Sequence, residues 1–288
     1  MASTREIKRR IRSVTNIQQI TKAMKMVAAA RLRRAEEKAL GTRPYADKIR
    51  ELLQHIVANT EEGLESPLLE EREVQRTAYL VIGADKGLAG GYTSNLMKEF
   101  TGIVHDKAAE TYEIVTVGRR PKTYLAHRGY ELLDMYEGFS DRPTYNHARE
   151  LAHRMAQRFI DGEVDEVIVV YTHFYSALRQ KPTAQTVLPI ARPEVDENLP
   201  ADEFDYEFLP DAKEVFSVLL PQYLEVIIYN ALLQAAASEL GARMAAMTSA
   251  TDNASDLIDD LTLHYNKARQ AAITNEITEI VGGANALE

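Results

Sequence analysis

The chain of 288 residues contains no cysteine and no tryptophan. Without cysteine there is no disulfide framework, thiol switch, cysteine nucleophile or thiolate-bound zinc. A cytoplasmic location fits that absence. No uninterrupted apolar run approaches the roughly 18 residues that a membrane span needs. The basic N-terminal stretch lacks an apolar segment followed by a small-residue cleavage site, so a secretory signal is not expected. Gly and Pro, at 14 and 10, are too few for a collagen-like or low-complexity chain. The apolar fraction of 45% suits one or two soluble domains with a sizeable core.

Charge is present but unevenly spread. Residues 1–34 carry ten basic side chains and one acid, Glu6, for a net +9. The whole chain is −9, so the remainder is −9 − 9 = −18. A like-charge block of this kind marks either a solvated helix face or an interaction surface. Nucleic acid is not the expected partner: the chain is acidic overall, and no aromatics interleave with the charges. A membrane-surface helix would set Trp or Phe opposite its basic face, and residues 1–40 have neither. Basic residues in a first turn oppose the helix dipole. Acidic groups nearby would offset that, either on a protein partner or at Asp252, Asp256, Asp259 and Asp260.

The two ends read as long helices. Ser3-Thr4-Arg5-Glu6 fits a capping box. Ile7, Ile11 and Val14, then Ile17, Ile20, Met24 and Val27, follow at helical spacing. A bend is expected near Gly41 and Pro44, with the pattern resuming towards Val57. Residues 59–76 read as an acidic connector. At the other end Asp211–Leu220 suits a short helix, and Pro221 the first turn of a longer one. There Leu240, Met244, Met247, Thr251, Ala254, Ile258, Leu261, Tyr265, Ala268 and Ala272 alternate steps of 4 and 3. That is a heptad seam, the signature of a coiled coil, and its many small residues allow close approach. A helix over 222–284 would be about 95 Å long, too long to bury in a globule of this size.

Between the ends the pattern changes. Thr77–Ile82, Tyr112–Val117, Glu166–Thr172 and Thr186–Ile190 are strand candidates. Helical stretches lie near Thr93–Ala109, Pro121–His127 and Thr144–Ile160, and 192–205 reads as a loop. Such alternation predicts an α/β unit on a largely parallel sheet. The expected organisation is a rod with a knob: helices over 1–58 and 211–288 paired antiparallel, and a Rossmann-like α/β domain over 77–209.

No catalytic motif survives inspection. Gly83-Ala84-Asp85-Lys86-Gly87-Leu88-Ala89-Gly90-Gly91 lacks the Gly-Lys-Ser/Thr of a P-loop and the G-x-G-x-x-G of a dinucleotide site. It reads as a tight strand-to-helix turn, with glycines for positive φ and close packing. The seven histidines form no metal-binding spacing, and no G-x-S-x-G element occurs. Asp259 and Asp260 diverge by about 100° on a helix, so they are not a carboxylate pair. No catalytic residue, cofactor or metal is expected.

Three blocks carry a resemblance. They are Ile17-Gln18-Gln19-Ile20-Thr21-Lys22-Ala23-Met24-Lys25-Met26-Val27-Ala28-Ala29, the loop Asp85 to Asn95, and the stretch from Ala242-Arg243-Met244 to Ala284. Together they resemble the γ subunits of bacterial F-type ATP synthases, over essentially the whole chain. The resemblance implies a non-catalytic rotating central stalk, which couples rotation of a proton-driven c-ring to the cycling of catalytic β subunits. Its partners would be a ring of three α and three β subunits, an ε subunit and the c-ring. No nucleic acid and no direct lipid insertion are implied. The location would be the cytoplasmic face of a bacterial cell membrane.

By motif, Lys22, Met24, Arg243, Arg269 and Gln270 would contact the catalytic ring. Ile273, Ile277, Ile280 and Ala284 would form a tip turning in an apolar sleeve. Tyr206, Phe208 and Leu209 would stand at the foot against the c-ring. The cysteine-containing insertion of the chloroplast form is missing, so thiol control is not expected. Two other readings compete: a coiled-coil scaffold with an α/β head unrelated to ATP synthase, and a nucleotide-binding enzyme with a helical arm.

Overall fold

A computed structural model describes residues 4–59, 66–191, 209 and 211–285, without the side chains of 43, 58, 59 and 283–285. Ser3 of the expected capping box, the loop 192–205, Tyr206 and Phe208 lie outside the described residues. Helix α1 runs Thr4–Asn59 and helix α5 Ala212–Asn285. Between them lie β1 (Thr77–Ile82), α2 (Tyr92–Val104), β2 (Tyr112–Val117), α3 (Arg119–Ala126), β3 (Asp134–Tyr136), α4 (Tyr145–Ile160), β4 (Glu166–Ser176) and β5 (Arg179–Leu188). The chain divides into two units, residues 29–242 and residues 1–28 with 243–288.

In the larger unit the sheet order is β3-β2-β1-β4-β5. The first four strands are mutually parallel, and β5 runs antiparallel to β4. The two strands of that hairpin are longer than their apolar cores, because polar residues such as His173 and Gln180 also pair in the ladder. Every residue of β1 is buried, as a central parallel strand requires. Ala78, Leu80 and Ile82 face a core shared with α4 and the two long helices, through Leu53, Met155, Phe216 and Leu232. Tyr79 and Val81 face the opposite layer, with Leu96, Phe100 and Leu125 of α2 and α3.

Neither proline breaks its helix. Pro44 lies within α1 and Pro221 within α5, so the expected bend and the expected separate helix after Pro221 are both replaced by continuous helices. A proline removes one backbone bond and crowds the carbonyl four residues earlier. Pro44 and Pro221 are both on exposed faces, where water can take the freed carbonyl. Asp211 caps α5, with its carboxylate accepting the Glu214 N–H at 2.8 Å.

The smaller unit carries the coiled-coil pairing. On α5 the covered positions include Met244, Met247, Thr251, Ala254, Ile258, Leu261, Tyr265 and Ala268 of the seam read from the sequence, while its last member, Ala272, is exposed. The hydroxyls of Thr21 and Thr251 lie 2.8 Å apart. From Thr251 to Ala268 is 268 − 251 = 17 residues, and from Thr21 to Thr4 is 21 − 4 = 17. In an antiparallel pair Thr4, the first residue of α1, therefore lies level with Ala268, the last covered position of α5. On α1 the covered residues include Ile7, Ile11, Val14, Gln18, Thr21, Lys25 and Ala28. Ile17, Ile20 and Val27 are instead 50%, 59% and 51% exposed. The expected α1 stripe thus divides into two, one facing α5 and one facing out.

Candidate functional site

The glycine-rich loop after β1 is where an α/β fold of this order would hold a nucleotide, at the strand-order reversal between β1 and β4. That crevice is occupied by the chain itself. Val81 pairs with Val170, so Thr172 is level with Gly83 at the carboxyl ends of the two strands. There Ser238 of α5 donates to the Thr172 carbonyl at 2.9 Å. The Tyr92 hydroxyl donates to the Ala235 carbonyl at 3.3 Å, and Gln234 accepts the Phe174 N–H at 3.1 Å. Ala242 packs on Ala84, Ala89 and Tyr92. The crevice is a socket for α5.

Glycine is needed here for close approach. A Cβ on Gly83 would come within 2.4 Å of Pro121 Cγ. Gly118 has φ near 100°, and a Cβ there would meet the Gly83 carbonyl oxygen at 2.7 Å. The loops are then drawn together by Asp85. Its carboxylate accepts the N–H groups of Arg119 (3.1 Å), Gly138 (2.9 Å) and Ser140 (3.1 Å). Burial pushes the Asp85 carboxyl up, but these donors and the Ser140 hydroxyl together bring it below the ordinary value. Asp85 therefore acts as a structural staple. Reading the sequence found the loop but not this role, which depends on donors 34 to 55 residues away.

The expected contact residues are spread along the two helices. Lys22 is exposed and Met24 half-buried on α1. Arg269 and Gln270 are exposed on α5, 18 and 19 residues beyond Thr251, or about 27–29 Å along the helix. The fold does not bring these two pairs together. Arg243 is only 7% exposed, with interactions of its own. Ile273, Ile277 and Ile280 are 46%, 56% and 72% exposed, beyond the last position that α1 covers. Ala284 is helical, but its side chain is outside the description. Leu209 is exposed, while Tyr206 and Phe208 are outside the described residues.

Asp252, Asp256, Asp259 and Asp260 are exposed, and among the described residues no ion pair joins them to the basic side chains of α1. A groove of about 890 Å³ runs along the N-terminal basic block, lined by Arg5, Glu6, Lys8, Arg9, Ile11 and Arg12. Among the described residues no cluster of His, Asp or Glu could hold a metal ion. By length and composition α5 could cross a membrane, with a most apolar window of mean hydropathy 1.4. In the larger unit many of its apolar side chains, such as Leu224, Ile228 and Leu232, are core residues.

A family model described as ATP synthase matches residues 3–287. The chain belongs to the γ family of the F-type ATP synthases. It is a non-catalytic central-stalk subunit, and the reading as an unrelated scaffold falls away. Solved structures share the fold. A chain from the central stalk and c-ring of the Tetrahymena thermophila mitochondrial ATP synthase aligns with TM-score 0.62 and 22% identity, over 80% of this chain and 99% of that one. Two chains come from the Euglena gracilis mitochondrial ATP synthase. One, in the OSCP/F1/c-ring assembly, aligns with TM-score 0.68 and 18% identity, over 99% of this chain and 94% of that one. The other, in the rotor, aligns with TM-score 0.65 and 17% identity, over 94% and 98%.

Proposed function

We propose that this stalk turns inside a ring of three α and three β subunits, driven from a membrane c-ring through its α/β unit, with an ε subunit beside that unit. The observation that carries the reading is the far end of α5. It continues past the last covered position as a single helix, and its isoleucines Ile273, Ile277 and Ile280 are exposed. Exposed apolar side chains in that arrangement call for a sleeve from another protein. The tip Ile273, Ile277, Ile280 and Ala284 fits that sleeve.

Lys22, Met24, Arg269 and Gln270 are the groups we assign to the catalytic ring. Arg suits this role because its planar fork holds a carboxylate by two hydrogen bonds. Arg243 matches the same family motif, and its burial favours a supporting role within the stalk over a projecting contact. Leu209, with Tyr206 and Phe208, is assigned to the c-ring. The helices over 1–58 and 211–288 form the shaft and 77–209 the foot. The three motif blocks favour a bacterial enzyme, peripheral on the cytoplasmic face of the cell membrane, without lipid insertion by this chain.

The absence of cysteine makes the test clean. Ile277→Cys and Leu209→Cys introduce single thiols without background. In the assembled enzyme under mild oxidation, with a second cysteine placed on the facing partner, Ile277→Cys should form a disulfide to α or β that stops turnover until reduced, whereas Leu209→Cys should form one to a c subunit that leaves turnover intact, because stalk and c-ring turn together. Free labelling of both thiols in the complex, with no cross-link, would refute the assignment.

A further inference from the structure

The larger unit holds its two long helices in different ways. The α5 helix sits in the β1–β4 crevice under neutral hydrogen bonds, from Ser238 to the Thr172 carbonyl and from the Phe174 N–H to Gln234. The α1 helix is anchored towards its C-terminal end by Ile49, Leu53 and Ile56 in the main core. Arg31 lies 49 − 31 = 18 residues earlier, about 27 Å along the axis. There its guanidinium meets the Asp141 carboxylate, which also takes Lys86 Nζ at 3.2 Å.

We propose that Asp141 is a torsional clamp, which by holding Arg31 and Lys86 together fixes α1 to the α/β unit so that the two turn as one body. The proposal rests on the rotor reading. Apolar contacts such as Leu32 and Ala35 keep a helix against its neighbour but have little angular preference. A charge-assisted bond to Arg is directional. The Asp141 side chain is only 12% exposed, so the attraction is less screened than on an open surface.

The clamp is itself held firmly. Asp141 follows Ser140, whose N–H donates to Asp85 at 3.1 Å and whose hydroxyl accepts the Asp85 N–H at 2.9 Å. Gly138 donates to the same carboxylate at 2.9 Å, and the Arg142 N–H reaches the Phe139 carbonyl at 3.0 Å. Lys86 stands next to Asp85 on the loop after β1. The links run from β1 through Asp85 and Asp141 to Arg31, with a fixed geometry at each joint. Asp141 touches no reacting group and is a positioning residue.

The test uses the assembled ATP synthase, with the catalytic ring immobilised and a rotation probe on the c-ring. Angular variance during stationary dwells reports torsional stiffness, and thermal melting of each variant subunit reports folding. Asp141→Asn and Arg31→Gln should each widen the variance, roughly 1.5- to 2-fold as one of two attachment points is lost, with melting nearly unchanged. Asp141→Glu, which keeps the charge, should return the variance towards wild type. Wild-type variance in both neutral variants would overturn the clamp. So would equal widening in Asp141→Glu and Asp141→Asn, which would assign the effect to loop distortion. A lowered melting temperature with unchanged variance would reduce the contact to a structural one and overturn it too. No rotation of the probe in the wild-type enzyme would instead refute the rotor reading, and the clamp with it.

Discussion

The hydroxyls of Thr21 and Thr251 meet 2.8 Å apart across the paired helices, which places these two residues opposite each other in the smaller unit. Thr21 reaches the Gln18 carbonyl at 3.0 Å and Thr251 the Met247 carbonyl at 2.7 Å, so each hydroxyl has a carbonyl of its own helix as well as the other hydroxyl within reach. A Thr in a seam of Ala and Met keeps the helices close. It also penalises a slip of one turn, which would leave a hydroxyl against an apolar side chain.

Replacing either threonine by valine should cost about 0.5–1.5 kcal/mol, the net worth of a typical hydrogen bond. The double valine variant should cost less than the sum of the singles, since the contact the two hydroxyls share is already lost with the first substitution. Thermal unfolding followed by circular dichroism measures this. Strict additivity would mean that the two hydroxyls do not interact. Thr21→Leu should be worse than valine, because a longer side chain forces the helices apart.

Arg158 holds the buried Glu113 with two bonds of 2.5 and 2.6 Å, while Arg76 stands 3.7 Å away. Arg158→Ala leaves a carboxylate in the core edge with one distant cation and should destabilise by about 3–5 kcal/mol. Arg158→Ala combined with Glu113→Gln should recover part of that loss. Urea denaturation of the three variants decides it, and a single variant within about 0.5 kcal/mol of wild type would show that water already satisfies Glu113.

Asp85 gives the fold an acid-sensitive joint. Its folded-state pKa lies below the ordinary 3.8, so its contribution is complete above that value and is lost as pH falls through the lowered pKa. Asp85→Ala should cost about 2 kcal/mol at neutral pH, and its deficit relative to wild type should shrink below about pH 4. Denaturant midpoints taken from pH 7 down to acid pH measure the deficit. A constant deficit over that range would mean that the charge of Asp85 is irrelevant and only its shape matters.

Replacing Arg269 and Gln270 together by Ala removes two exposed polar groups, so stability of the isolated subunit should stay within about 0.5 kcal/mol. In the assembled enzyme the pair should still matter. ATP turnover, or proton pumping per ATP, should change by the equivalent of about 1–3 kcal/mol, less where neighbouring contacts share the load. Wild-type hydrolysis, pumping and stall torque in the double variant would show that other residues carry the contact.

Much of this protein was legible in one dimension. The 4-3 steps from Leu240 to Ala272 located the α5 seam, which is covered as far as Ala268, because a helix buried along one narrow face must repeat its apolar residues every 3.5 positions. Thr77–Ile82 and Tyr112–Val117 read as strands with the bounds they have, since a parallel strand buried on both faces is a short continuous apolar run. The missing Gly-Lys-Ser/Thr made a P-loop unattainable whatever the fold. Local pattern suffices for features that depend only on neighbours in the chain.

What the tertiary structure decided was which apolar residues belong together. Helical spacing alone cannot separate Val14, which faces α5, from Ile17 and Ile20, which do not. Ile17 and Ile20 sit one residue, or about 100°, off the covered positions Gln18 and Thr21. Periodicity reports that a face is apolar and is silent on whether the chain's own helix or another protein covers it. The same holds for Asp85, Asp141 and Ser238. Each gains its role from a partner between 34 and 110 residues away, and distances of that kind are set only when the chain closes on itself.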